Sequence, residues 1–169
     1  QKDLGLEIKQ SNLCSEITLP TNEERTAVCC LSSVNLEYFD EWKDNRKFIK
    51  DLIKMLDNVL EHFIEEIVDT SRLGGYTANF KRFKTYVREE KEGMVKAAYS
   101  AYRERSIGLG SMGFHAYLQS KGLPFNGLQQ TGINNTIFSH IKTEALQATE
   151  RLAEDRGEAP DVHGSGKRN

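Results

Sequence analysis

An apolar stripe in the middle of the chain constrains its fold most. Ile49, Leu52, Ile53, Leu56, Val59, Leu60, Phe63, Ile64 and Ile67 recur at helical spacing, with Lys50, Lys54, Asp57, Glu61 and Glu65 outside the stripe. That pattern predicts one amphipathic helix over about 41–69, stopped before Gly74-Gly75. Asp40 and Glu41 suit its start, because carboxylates favour the positive end of a helix. A second stripe, Ile133, Ile137, Ile141, Ala145, Ala148 and Leu152, predicts a last long helix closed by Gly157 and Pro160. Between the two, residues 76–90 are mixed. A helix is expected over about 90–104, carrying Val95, Ala98, Tyr99 and Tyr102, and a short one near 113–121. Gly108, Gly110 and Gly113 read as a tight turn with close backbone packing.

The N-terminal part has a different character. Lys9 to Leu19 is extended and ended by Pro20, which cannot donate to a strand ladder; TNEERT is a turn, and 27–36 reads as a buried strand. The expected class is therefore α/β, two short strands followed by several long helices. Two strands alone are marginal in water. With no Met at Gln1 and a polar close, GSGKRN, the expectation is a segment of something longer. A length of 169 residues is one domain's worth, and 38% hydrophobic with 28% charged residues favours a folded body over a disordered tail. A net charge of -2 gives no pull toward a nucleic-acid polymer or an anionic membrane, and no apolar run approaches the ~20 residues of a membrane span. Three cysteines, an odd count, argue against a secreted disulfide framework and for a reducing, cytoplasmic setting.

Chemistry enters at QSNLCSEITLP. Asn12, Cys14 and Glu16 alternate with period two, so an extended segment puts an amide, a thiol and a carboxylate on one face, with Leu13 and Ser15 on the other. Such a set supplies a radical or nucleophilic centre, a general base and a neutral hydrogen-bonding group. Residues two apart sit about 6.6 Å apart and residues four apart about 13 Å. One substrate carbon can therefore meet Cys14 and Glu16, while Asn12 joins only if the segment curves. An edge strand with a polar outer face has the same pattern. Cys29 and Cys30 point to opposite faces if they lie in a strand, so at most one can turn toward Cys14; buried cysteines are equally compatible with that pair.

Other patterns carry less. Gly108-Leu-Gly110-Ser-Met-Gly113 matches the dinucleotide fingerprint, but a helix is predicted before it and no acid follows at the right distance. FKRFKTYVR at 80–88 mixes bases and aromatics, yet Phe80, Phe83 and Val87 share a helical face, leaving Lys81, Arg82, Lys84 and Arg88 to solvent. His62 with Glu65 and Glu66 lacks a second copy of the pattern a di-iron site needs, and His115, His140 and His163 are scattered, so no metal is expected.

SNLCSEI, followed by a short loop and AVCCLSSVNL, resembles the catalytic segment of the large subunit of class I ribonucleotide reductases. ERSIGLGSMGFHAYLQSKGLPF is similar to that subunit's Arg-x-Ile-Gly-x-Gly-x-x-Gly region, and LAEDRGEAPD with GSGKRN to the lead-in to its phosphate-binding loop. The cobalamin-dependent reductases typically show Asn-Pro-Cys-Gly-Glu where this chain has Asn-Leu-Cys-Ser-Glu. The resemblance runs through essentially the whole chain. It implies a partial catalytic domain over 1–169, a fragment of a ten-stranded α/β barrel, with a catalytic finger segment and redox strand over 9–36 and helical periphery over 37–169.

It also implies roles. Cys14 would be the thiyl-radical site, Glu16 the general base and Asn12 the polar partner of the ribose, with Ser11 to Glu16 (Ser11, Asn12, Leu13, Cys14, Ser15, Glu16) lining the substrate. Aligning LSSVNL puts Cys29 at one half of a redox-active dithiol and leaves Cys30 redox-silent. The implied substrate is a ribonucleoside diphosphate. The implied partners are the remainder of the large subunit and a metal-containing small subunit that supplies the radical, in an oligomer reduced by thioredoxin or glutaredoxin. No cofactor is expected in this segment, which should be inactive by itself. The alternative is a split piece acting only as an assembly or interaction module.

Overall fold

The computed structural model describes residues 5–9, 11 and 17–169. Strands β1 (Cys30–Asn35) and β2 (Ile107–Met112) pair in parallel, in register from Cys30 opposite Ile107 to Asn35 opposite Met112. Parallel strands need a long crossover, and here it carries α1 (Phe39–Trp42), α2 (Phe48–Glu65), α3 (Phe80–Thr85) and α4 (Val95–Glu104). Helices α5 (Phe114–Ser120) and α6 (Leu128–Arg156) come after β2. Among the described residues the sheet has these two strands only, so the architecture is α/β with helices dominating. No helix among them is long and apolar enough to cross a membrane.

Burial explains the placement. Ile49, Ile53, Leu56, Leu60 and Ile64 form the inner face of α2, which packs on both strands and against α4 and α6. One apolar cluster gathers Val34, Phe39, Trp42, Ile53, Ile137 and Ile141. A second gathers Leu60, Ile64, Leu73, Phe83, Ala98 and Tyr99. Phe39 meets Trp42 edge to face at 4.9 Å between centroids, which adds directionality to the first cluster.

Several expectations are corrected. The single helix over 41–69 is two, α1 and α2, because Asn45 accepts a hydrogen bond from the Lys47 N–H and breaks the ladder between them. Its end also comes earlier. Ile67 and Val68 are buried outside the helix, where Val68 bridges Val87 in antiparallel fashion. Val59, placed in the stripe, is 51% exposed, whereas Asp57, placed outside it, is fully buried. The helix over 90–104 begins as a 3-10 turn, Glu89–Met94, before α4. The largest difference is at Gly108 and Gly110, which belong to β2 rather than to a turn. The turn comes at Gly113 alone, whose φ of +78° lets the chain pass from β2 into α5 close against Asn35. The strand expected over 27–36 is the shorter β1. Of the extended segment before it, Lys9, Ser11 and residues 17–19 lie in no helix or strand; Gln10 and 12–16 lie outside the described residues.

Helices α5 and α6 match the expected 113–121 and the stripe ending at Leu152 closely. Gly157 stops α6, its N–H reaching the Ala153 carbonyl. In 80–88, Phe83 is buried and Phe80 partly buried on α3, with Lys81, Arg82, Lys84 and Arg88 exposed, as the spacing predicts, but Val87 lies beyond α3 and is partly buried through its bridge to Val68.

Candidate active site

The two faces of the sheet differ sharply. Cys30 and Val34 point to the helices: Val34 is 2% exposed, and Cys30 packs against the cluster around Leu60 and Phe83. Leu31, at 57%, and Ser33 face the other way, where no helix among the described residues covers them. Cys29, just before β1, shares that side with Leu31. A β-carbon placed on Gly108 would lie 2.5 Å from Leu31 Cδ2 and 3.9 Å from Cys29 Sγ. The adjacent thiols therefore diverge. Burial raises the Cys30 thiol above its usual range, against the pull of the Arg105 charge, which disfavours the reactive thiolate. The Cys29 thiol lies 3.7 Å from the Cys30 carbonyl oxygen, to which it donates.

Of the other residues that the sequence nominates, Ser11 is described and exposed. Asn12, Leu13, Cys14, Ser15 and Glu16 lie outside the described residues. The chain from Leu19 onward is firmly anchored. Leu19 and Pro20 are buried, and the Arg25 guanidinium donates to both carboxylate oxygens of Asp161, with Nη2 at 3.0 Å from Oδ1. Arg103 holds the same Asp161 at 2.7 Å. The Thr26 N–H reaches the Lys96 carbonyl of α4 at 3.3 Å. The loop between the Cys14 segment and β1 is thus tied to α4 and to the 3-10 turn Pro160–Val162.

A second polar cluster fixes the start of β2. Asp57, on the inner face of α2, accepts from Arg105 at 2.7 Å, Arg156 at 2.6 Å, Arg168 at 3.0 Å and the Asn169 amide at 2.9 Å. Glu61 takes the outer nitrogens of Arg105 at 2.8 Å and Arg168 at 2.6 Å. Burial would push the Asp57 carboxyl up, but Arg105, the Asn169 amide and Arg168 outweigh it and hold it at about 2. Arg105 is the one non-glycine with positive φ, +47°, among the described residues, a sparsely populated conformation that this network over-determines. From there the chain enters β2, and the Asn169 amide donates to the Arg105 carbonyl at 3.2 Å.

Sequence reasoning missed both clusters. Asp57 gives one signal: it sits four residues after Ile53 and three before Leu60, on the stripe and not beside it. Arg25, Asp161 and Glu104 are far apart in the chain and leave no local mark. The fingerprint glycines fail as a dinucleotide loop for a structural reason, since Gly108 and Gly110 are inside a strand and not in the turn after one. His62 is exposed on α2.

A family model described as the ribonucleotide reductase barrel domain matches residues 2–168. The ribonucleoside-diphosphate reductase large subunit of Invertebrate iridescent virus 3 is 45% identical over 168 residues, covering 99% of this chain and 23% of its own length. A putative ribonucleoside-diphosphate reductase large subunit of Frog virus 3 (isolate Goorha) is also 45% identical over 168 residues, covering 99% of this chain and 26% of its own. Among solved structures, the Actinobacillus ureae class Id ribonucleotide reductase alpha subunit superposes with a TM-score of 0.82 at 36% identity, over 99% of this chain and 28% of that one. The chain spans about a quarter of the length of these relatives.

Proposed function

The chain belongs to the ribonucleotide reductase family as part of its barrel domain, and from that premise we propose that it carries the reacting centre of a ribonucleoside-diphosphate reductase large subunit. The match over residues 2–168 carries this reading. In it, a radical delivered from a metal-containing small subunit resides on the Cys14 sulfur, which abstracts the ribose 3′ hydrogen. Glu16 takes the 3′-hydroxyl proton while the 2′-hydroxyl leaves as water, and Asn12 holds the ribose. Cys29 and a second thiol, from outside this chain, give up two electrons and two protons and become a disulfide. Cys14 then returns the 3′ hydrogen. The balance is one ribonucleoside diphosphate and two thiols to one deoxyribonucleoside diphosphate, one water and one disulfide. Thioredoxin or glutaredoxin would reset the disulfide, in an oligomeric cytoplasmic enzyme completed by the rest of the large subunit.

Local chemistry supports the assignment. A thiyl radical is neutral, so a water-poor pocket suits it and excludes side reactions. The divergence of the two cysteines supports Cys29 over Cys30 as the redox thiol, because Cys29 stands on the sheet face without helices and Cys30 is packed under them.

The test is thioredoxin-driven reduction of a ribonucleoside diphosphate by the assembled enzyme. Cys14→Ser should abolish turnover and Cys29→Ser should remove nearly all of it, while Cys30→Ser keeps it. Assembly without Cys14-dependent turnover would overturn the reading in favour of an interaction module. Loss at Cys30 with retention at Cys29 would show that the register is wrong.

A further inference from the structure

Gly108 and Gly110 stand in the middle of β2, where glycine weakens a strand by roughly 0.5–1 kcal/mol. A glycine in a strand often marks a place where something must approach the backbone closely. At Gly108 the approaching atom is identifiable. Leu31 is its partner in the parallel register, and the Leu31 Cδ2 methyl occupies the space that a β-carbon on residue 108 would need, 2.5 Å from that position. Leu31 therefore lies across the strand pair on the face without helices, while Cys29, two residues earlier on the same side, has its sulfur beside the same gap at 3.9 Å.

We propose that Gly108 is a positioning residue for Cys29: by having no side chain, it seats Leu31 across β2 and so fixes the space in which the Cys29 sulfur meets its reaction partner. A methyl at 108 evicts the Leu31 tip. The tip, 57% exposed, then has to leave β2 on the face where the Cys29 sulfur also stands. A shift of about 1 Å at a reacting atom is enough to cost orders of magnitude in rate. Gly110 differs, although it carries the same glycine burden. A β-carbon there meets Ser33 Oγ at 3.1 Å and the Ser32 carbonyl at 3.6 Å, with neither Leu31 nor Cys29 in contact.

This inference rests on Cys29 being redox-active, and the experiment separates the two. In the assembled reductase, Gly108→Ala should lower thioredoxin-driven turnover by about tenfold or more, with KM for the nucleotide unchanged and the reduction potential of the Cys29 disulfide displaced. Gly110→Ala should keep turnover and potential. The decisive variant is Gly108→Ala with Leu31→Ala, which removes the clash and should restore both. It also carries the test if Gly108→Ala alone does not fold. Wild-type turnover and potential in Gly108→Ala, or a folded double variant that stays impaired, would overturn the proposal. If Cys29→Ser is fully active, the redox reading itself falls; if Cys29→Ser is dead and Gly108→Ala is normal, only the role of Gly108 falls.

Discussion

Asp57 and Glu104 are both carboxylates held beneath the surface beside arginines, yet they are driven in opposite directions. Asp57 has three arginines and an amide, and it sits at about 2. Glu104 is pushed up to about 7, first by burial and further by the neighbouring Asp161 charge, which Ser100 and Arg25 only partly offset. The arginine beside Glu104 is committed elsewhere: Arg25 grips Asp161 with two nitrogens and reaches Glu104 at only 3.5 Å. Glu104 Oε1 accepts from the Ser100 hydroxyl at 2.8 Å, and Oε2 is buried with no hydrogen-bond partner among the described residues. An arginine nearby is therefore not what stabilises a buried acid; a complete set of donors is. Asp57 has that set and Glu104 does not.

The largest expected effect is at the saturated site. Asp57→Asn removes the charge that three arginines share, leaving Glu61 to answer for Arg105 and Arg168. The expected cost is roughly 3–5 kcal/mol in denaturant unfolding, because breaking a buried network leaves uncompensated charge. Since the folded pKa lies below its ordinary 3.8, the wild-type contribution is whole above that pH and is lost as pH falls through about 2. A cost no greater than that of Glu104→Gln would break the comparison, for then the number of donors would not separate the two acids.

The same contrast shows what could be read from the sequence. Long-range order with a local signature was legible. The stripe of α6 follows from its spacing, the packed aromatics of α3 follow from theirs, and the divergence of Cys29 and Cys30 follows from period two along β1. β2 was not legible. Ile-Gly-Leu-Gly-Ser-Met has few β-formers, and it becomes a strand only because β1, far upstream, pairs with it. Asp57 was misplaced because hydrophobic periodicity treats every acid as surface, although its angular position on α2 puts it with Ile53 and Leu60. The clusters of Arg25 and Asp57 join residues from opposite ends of the chain, which no window of sequence sees. For the proposed reacting centre, the resemblance of SNLCSEI and AVCCLSSVNL supplied what spacing left open, and the nominated Asn12, Cys14 and Glu16 lie outside the described residues.

A smaller effect sharpens the contrast. Asp161→Asn deprives Arg25 and Arg103 of their shared anion, at an expected cost of roughly 1–3 kcal/mol. It also removes the like charge beside Glu104 and frees Arg25 to turn toward it. The Glu104 titration, followed by carboxyl NMR, should then fall back toward its ordinary 4.5. A value that stays near 7 would mean that burial alone sets it, and that competition for Arg25 contributes nothing.

The smallest effect has the opposite sign. With the Glu104 folded pKa raised from 4.5 to about 7, the folded protein takes up a proton that the unfolded chain does not as pH falls through that window. Above pH 7 both states are ionised and the folded state bears the whole cost of a poorly solvated charge. Toward pH 4.5 the folded carboxyl is neutral and that cost is gone. Glu104→Gln, uncharged throughout, should therefore unfold later than wild type at pH 8, by roughly 1–3 kcal/mol, and match it below the ordinary 4.5. Arg25 would keep Asp161 in the variant, so the loop leading to β1 should stay anchored. A variant less stable than wild type at pH 8 would show that the 3.5 Å contact with Arg25 outweighs burial, and would put Glu104 in the same class as Asp57.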